Sequence, residues 1–198
     1  MEKISSLLTE EFIKRDIITS EKREICRIGI ELILADIINF TAILLIGLIA
    51  GKFVYGCIYL VLFWTVRRFS GGFHAKTYAV CRTVTIGTFV LVLLAARLIN
   101  AHLILYTAAL DIAAIAAVVL FAPVKHPNKE LSDKEIKMNR FFSLVSVLLF
   151  AAVSICLVSA GLKEGLCIAL TLFAIAVLML AGLISNRRRE GKNDVKVC

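Results

Sequence analysis

The sequence predicts an all-α membrane protein of about six membrane helices, preceded by an amphipathic N-terminal helix lying at the interface. Three observations lead there. Of 198 residues, 60% are apolar and the mean hydropathy is +0.89, so a soluble fold would have too little polar surface to cover its core. The apolar residues gather in blocks. The lysines and arginines between those blocks fall almost entirely on alternate connections, as they do when one side of a membrane retains positive charge.

The elements follow in chain order. Met1–Arg15 sets Ile4, Leu7, Leu8, Phe12 and Ile13 at helical spacing among charges. It lacks the continuous apolar region of a cleavable signal peptide, so it predicts an interfacial helix, with a solvated lead-in helix as the alternative. Ile37–Ala50, Phe53–Val66 and Thr83–Ala96 are fourteen residues each, short for a span. The first lengthens backwards through Ile28–Asp36 if Glu31 and Asp36 are taken in. Only Gly51 and Lys52 separate the first two blocks, which predicts a tight hairpin that either crosses fully or is re-entrant. Leu103–Ala122, broken only by Asp111, then Phe141–Ala160 and Leu166–Ser185 are twenty residues each. At about 1.5 Å per residue, such a helix matches the roughly 30 Å hydrocarbon layer. Pro123–Arg140 is polar and mixed in charge, as expected of a loop. Residues 1–185 are expected to form one membrane-embedded domain. Residues 186–198, opening with Arg187, Arg188 and Arg189, are expected to be a basic, disordered tail.

Charge placement sets orientation. Of 23 lysines and arginines, six membrane segments put twenty on one side and only Lys52, Arg97 and Lys163 on the other. Both termini and the two long loops are therefore expected on the cytoplasmic side of a multi-pass cell-membrane protein. The net charge of +8 is a topology signal and does not point to nucleic acid; the partner it implies is the lipid bilayer. No cysteine or histidine spacing suits zinc, and no metal or organic cofactor is indicated. Cys57, Cys156 and Cys167 fall inside apolar blocks, where cysteine packs as a small hydrophobe. Glu31, Asp36, Asn39 and Asp111 sit in or beside membrane segments, where a carboxylate is costly and normally faces a partner. Asp111 is expected to point inward and pair with Arg97.

The informative segment runs from Arg67 to Cys81: Arg67-Arg68-Phe69-Ser70-Gly71-Gly72-Phe73-His74-Ala75-Lys76, then Cys81. It breaks two apolar blocks on the basic side. Paired glycines allow backbone angles that other residues avoid and let another chain approach closely. A thiol nucleophile needs a base or a helix N-terminus to generate its thiolate, and His74 is the base at hand. In one continuous helix, seven residues separate the two by about 10 Å along the axis, beyond a hydrogen bond of about 3 Å. His74 must then lie in the glycine loop, or the helix must break, or the pair must come from two subunits. On spacing alone, His74 and Cys81 are as consistent with structural roles, and the arginines with topology anchors.

This string, with Ala122-Pro123-Val124 through Asn128-Lys129 before a basic loop, resembles the accessory gene regulator B (AgrB) family, membrane cysteine endopeptidases of Gram-positive quorum sensing. The resemblance extends over nearly the whole chain. It implies that His74 and Cys81 are the catalytic pair and that Gly71 and Gly72 form a turn whose amides either donate to an oxyanion or only shape the chain. It makes Arg67, Arg68, Ser70 and Lys76 candidate substrate-binding positions. The implied partner is an AgrD-like precursor peptide with an amphipathic leader, a central signal segment and an acidic tail. The family also suggests a homodimer. Cleavage through an acyl-thioester on Cys81, followed by cyclisation to a thiolactone, is the implied chemistry.

Two rivals are a peptide-export scaffold or transporter without covalent chemistry and an inactive receptor or assembly factor. The transporter would be expected to show repeated halves and broken helices near the bilayer centre, and neither is evident. A receptor predicts that Cys81→Ser is silent. The peptidase reading predicts that Cys81→Ser abolishes precursor processing, read from the mass of the peptide produced by cells carrying each version.

Overall fold

The computed structural model describes residues 2–70, 78–124 and 132–194. Among them every regular element is helical, as hydrocarbon demands of a backbone that must satisfy its own hydrogen bonds. The order is α1 (Glu2–Lys14), a 3₁₀ turn (Ser20–Lys22), α2 (Arg23–Ile49), α3 (Phe53–Ser70), α4 (Tyr78–Leu98), α5 (Leu103–Phe121), α6 (Asp133–Ser159) and α7 (Glu164–Asp194). Five stretches are long and apolar enough to cross a membrane: Ser20–Ile49, Val80–Leu98, Leu103–Phe121, Asp133–Ser159 and Glu164–Ser185. The chain is thus a multi-pass membrane protein. The expected sixth, α3, falls outside that set and carries Arg67 and Arg68 in its last turn.

Helix boundaries depart from the apolar blocks where end chemistry intervenes. The backward extension of the first block is realised: α2 is a single helix of 27 residues. The loop expected over Pro123–Arg140 is shorter than the sequence suggested, because α6 begins at Asp133. Ser132 caps it, its Oγ accepting from the Glu135 amide at 3.3 Å while the Glu135 carboxylate accepts from the Ser132 amide at 2.8 Å. This reciprocal box satisfies amides that would otherwise be orphaned at the first turn, and it lets the helix start before the apolar run. At the other end of the chain, α7 runs past Ser185 to Asp194, into the segment expected as a tail.

α7 is the axis of the bundle. Leu166 through Leu172 are buried without interruption, so the helix is enclosed on all sides over two turns, which only a central helix can be. It packs against α3, α4, α5 and α6. Close approach to α6 needs Gly165: a Cβ there would lie 2.3 Å from the Ser154 carbonyl oxygen. The outer helices turn apolar residues such as Leu91, Leu105, Ile112, Leu120 and Leu148 outward, where lipid replaces water as their solvent. Cys167 is buried on α7, whereas Cys57 is half-buried and Cys156 lies exposed on α6. The α2–α3 hairpin turns through Gly51 at φ 66°, a conformation that glycine adopts without strain.

Several polar residues inside the bundle are held by hydrogen bonds. α1 lies on α2, with Ser5 and Thr9 inward and Ile4, Leu7 and Leu8 exposed. This is the outward apolar face expected of an interfacial helix. Glu31 accepts from Ser5 Oγ at 3.0 Å and from Arg27 at 3.4 Å, and Arg23 pairs with Glu10. Asp111 is buried as expected, but its partner is Ser154 Oγ on α6. The expected pair with Arg97 is not formed: Arg97 is exposed in the last turn of α4, whereas Asp111 sits two turns into α5, about 12 Å from its start at helical rise.

Gly165→Leu is expected to overpack the α6–α7 crossing by about 1–3 kcal/mol or more. Thermal unfolding in detergent checks it, with Gly29→Ala as the neutral control because its Cβ would meet nothing within 4 Å.

Candidate active site

Two antiparallel helix faces build the site. On α3, Tyr59, Phe63 and Arg67 recur every four residues; on α4, Cys81, Thr85 and Phe89 do the same. Positions four apart lie on one face of a helix, one turn above another, so the two sets form facing ladders. Cys81 occupies the first turn of α4 and is half-buried.

The rungs close into a ring. Thr85 Oγ1 donates to the Cys81 carbonyl at 2.9 Å, and the Tyr59 hydroxyl donates to the Thr85 carbonyl at 2.9 Å. Tyr59 is fully buried and stacks on Phe63 with centroids 5.1 Å apart, while Phe89 lies tilted at 5.1 Å on its other side. The Arg67 guanidinium sits over Phe63, 4.7 Å from the ring centroid, a cation–π contact that holds the charge at the apolar edge. From there it interacts electrostatically with both Cys81 and Tyr59.

Neighbouring elements fix this end of the bundle. The Val124 amide donates to the Ser70 carbonyl at 3.0 Å, tying the end of α3 to the chain leaving α5. Phe69 stacks on Phe142 of α6 at 5.2 Å, and Arg140 donates to the Val119 carbonyl at 3.2 Å. Arg68 is exposed and lies 5.6 Å over Trp64. Ser70 is fully buried, a position that shapes the end of α3.

Four of the eight residues singled out in the sequence therefore meet at one end of the bundle: Arg67, Arg68, Ser70 and Cys81. His74, Gly71, Gly72 and Lys76 lie outside the described residues, as does the basic stretch 125–131. Glu31, a carboxylate within the lengthened first apolar block, serves Ser5 and Arg27. Sequence reasoning missed Tyr59, Phe63 and Thr85. Their signal was the spacing of four that links Tyr59 and Phe63 to Arg67, and Thr85 to Cys81. Among the described residues no cluster of three metal-ligating side chains occurs.

A family model described as Accessory gene regulator B matches residues 1–181. No curated protein and no solved structure gives a match.

Tyr59→Phe removes one hydrogen bond, worth about 0.5–1.5 kcal/mol, and is expected to lower thermal stability in detergent by that amount.

Proposed function

This chain belongs to the accessory gene regulator B family, whose members process the AgrD precursor in quorum sensing, and from that premise we propose that it acts as a cysteine endopeptidase and acyl-transfer catalyst through Cys81 and His74. The observation that supports this reading is the place of Cys81, half-buried in the first turn of α4, where α3 ends in Arg67 and Arg68. The site faces the cytoplasm in this reading, because the same end of the bundle carries the excess of lysine and arginine.

The reaction proceeds in two transfers. Cys81 Sγ attacks the carbonyl carbon of the peptide bond between signal segment and tail, and His74 takes the thiol proton. The tetrahedral intermediate expels the tail amine, which leaves with the proton from His74. The signal segment remains as an acyl-thioester on Cys81. A substrate thiol then attacks that carbonyl and loses its proton, and Cys81 departs and regains one. The product is a macrocyclic thiolactone. The second transfer exchanges one thioester for another, whereas the first turns an amide into a less stable thioester and is drawn forward by departure of the tail. Water competes for the acyl group at this stage, and the packed rings of Phe63, Phe69 and Phe142 limit its approach from the bundle side.

Arg67, Arg68 and the basic turns around them supply long-range attraction for an acidic tail.

The test is intact mass of the purified protein in a membrane mimetic after incubation with precursor peptide. A mass increase equal to the signal segment without its tail is expected, absent in Cys81→Ala and in His74→Ala, and removed by hydroxylamine. Cleavage that persists in Cys81→Ala would sink the proposal.

A further inference from the structure

The far end of the bundle presents an unusual concentration of charge. Only three basic residues fall on the side opposite Cys81: Lys52 in the α2–α3 turn, Arg97 at the end of α4 and Lys163 ahead of α7. They belong to three separate connections, yet all three line one cavity of about 610 Å³ together with Asn100. Lys163 Nζ donates to Asn100 Oδ1 at 2.8 Å, and Asn100 in turn donates to the Arg97 carbonyl at 2.9 Å. Lys52 stands 5.1 Å from the centroid of the Tyr55 ring. No carboxylate lines the cavity. The nearest in sequence, Glu164, is half-buried beside Tyr55 at the cavity's edge and is not part of its lining. Three like charges around one space repel each other, and an anion between them would relieve that repulsion.

The remaining wall says what kind of anion. Val90, Leu93 and Leu94 of α4 and Ile46 of α2 line the cavity, and Leu94 and the adjacent Leu91 are more than half exposed on the lipid-facing surface. A soluble anion has no use for such a wall, whereas a molecule with a charged head and an apolar chain matches both parts. Basic pockets between membrane helices hold lipid headgroups through this combination, with lysine and arginine donating charge-assisted hydrogen bonds to phosphate oxygens.

We propose that this cavity binds the headgroup of an anionic phospholipid in the leaflet opposite Cys81, its phosphate between Lys52, Arg97 and Lys163 and an acyl chain along Val90, Leu93 and Leu94. The bound lipid links the α2–α3, α4–α5 and α6–α7 turns at the end of the bundle that has no catalytic role. This assignment does not depend on the chemistry of Cys81.

The experiment is native mass spectrometry of the full chain in detergent, titrated with palmitoyl-oleoyl phosphatidylglycerol or phosphatidylcholine. The unaltered protein is expected to retain one phosphatidylglycerol at a concentration roughly a hundredfold below that needed for phosphatidylcholine, the scale of three basic residues at an anionic headgroup. The triple variant Lys52→Gln, Arg97→Gln, Lys163→Gln should lose this preference. Lys134→Gln with Lys137→Gln, at the opposite end, should keep it. As a control for folding, Lys52→Arg with Lys163→Arg is run beside the triple variant and should bind as the unaltered protein does. Equal retention of both lipids by the unaltered protein, or an undiminished preference in the triple variant, would overturn the proposal. So would displacement of phosphatidylglycerol by millimolar inorganic phosphate, which would assign the cavity to a free anion. Displacement by the released tail peptide would assign it to product and likewise overturn the lipid.

Discussion

Hydrocarbon excludes charge, and the rest of this structure depends on that constraint. It forces the backbone into helices that satisfy themselves, pushes lysine and arginine to the two ends of the bundle and leaves the middle to shape. The exceptions show the same rule at work. Glu31 is covered by α1 and held by Ser5 and Arg27, and Asp111 is enclosed against Ser154. Each buried carboxylate is placed where another helix brings a donor to it.

Within those limits α7 organises the packing. Its Leu166–Leu172 stretch is enclosed by other helices, while Phe173, Val177 and Ile184 further along are exposed, and Gly165 lets α6 approach closely. α3 and α4 are brought together as part of this arrangement. Their meeting places Cys81 over a network that runs through Thr85, Tyr59 and Phe63 to Arg67. A side chain carried on a helix and tied down through its own carbonyl is held more firmly than one on a loop.

The two ends then differ in kind. One carries arginines at the end of α3 beside the start of α4, where Cys81 sits. The other gathers its few cations into a cavity with an apolar wall. Both follow from cations collecting where helices terminate.

Much of this was legible in the residues. The apolar blocks, the asymmetry of lysine and arginine and the Arg67–Cys81 string were enough for the membrane class, the number of long helices to within one and the family. Boundaries were less legible, because they depend on capping: Ser132 and Glu135 start α6 well before its apolar run, and nothing in hydropathy marks that. Partners were least legible. Asp111 was matched to Arg97 by charge, yet Ser154, an unremarkable residue in an apolar block, is what α6 brings beside it. The sequence by itself determined which residues must leave the hydrocarbon and which chemistry the string could support, since both follow from residue type and order along the chain. Only the tertiary structure decided that Arg67 faces Cys81 and that Lys52, Arg97 and Lys163 share one cavity, because proximity between helices is set by how their side faces pack around α7.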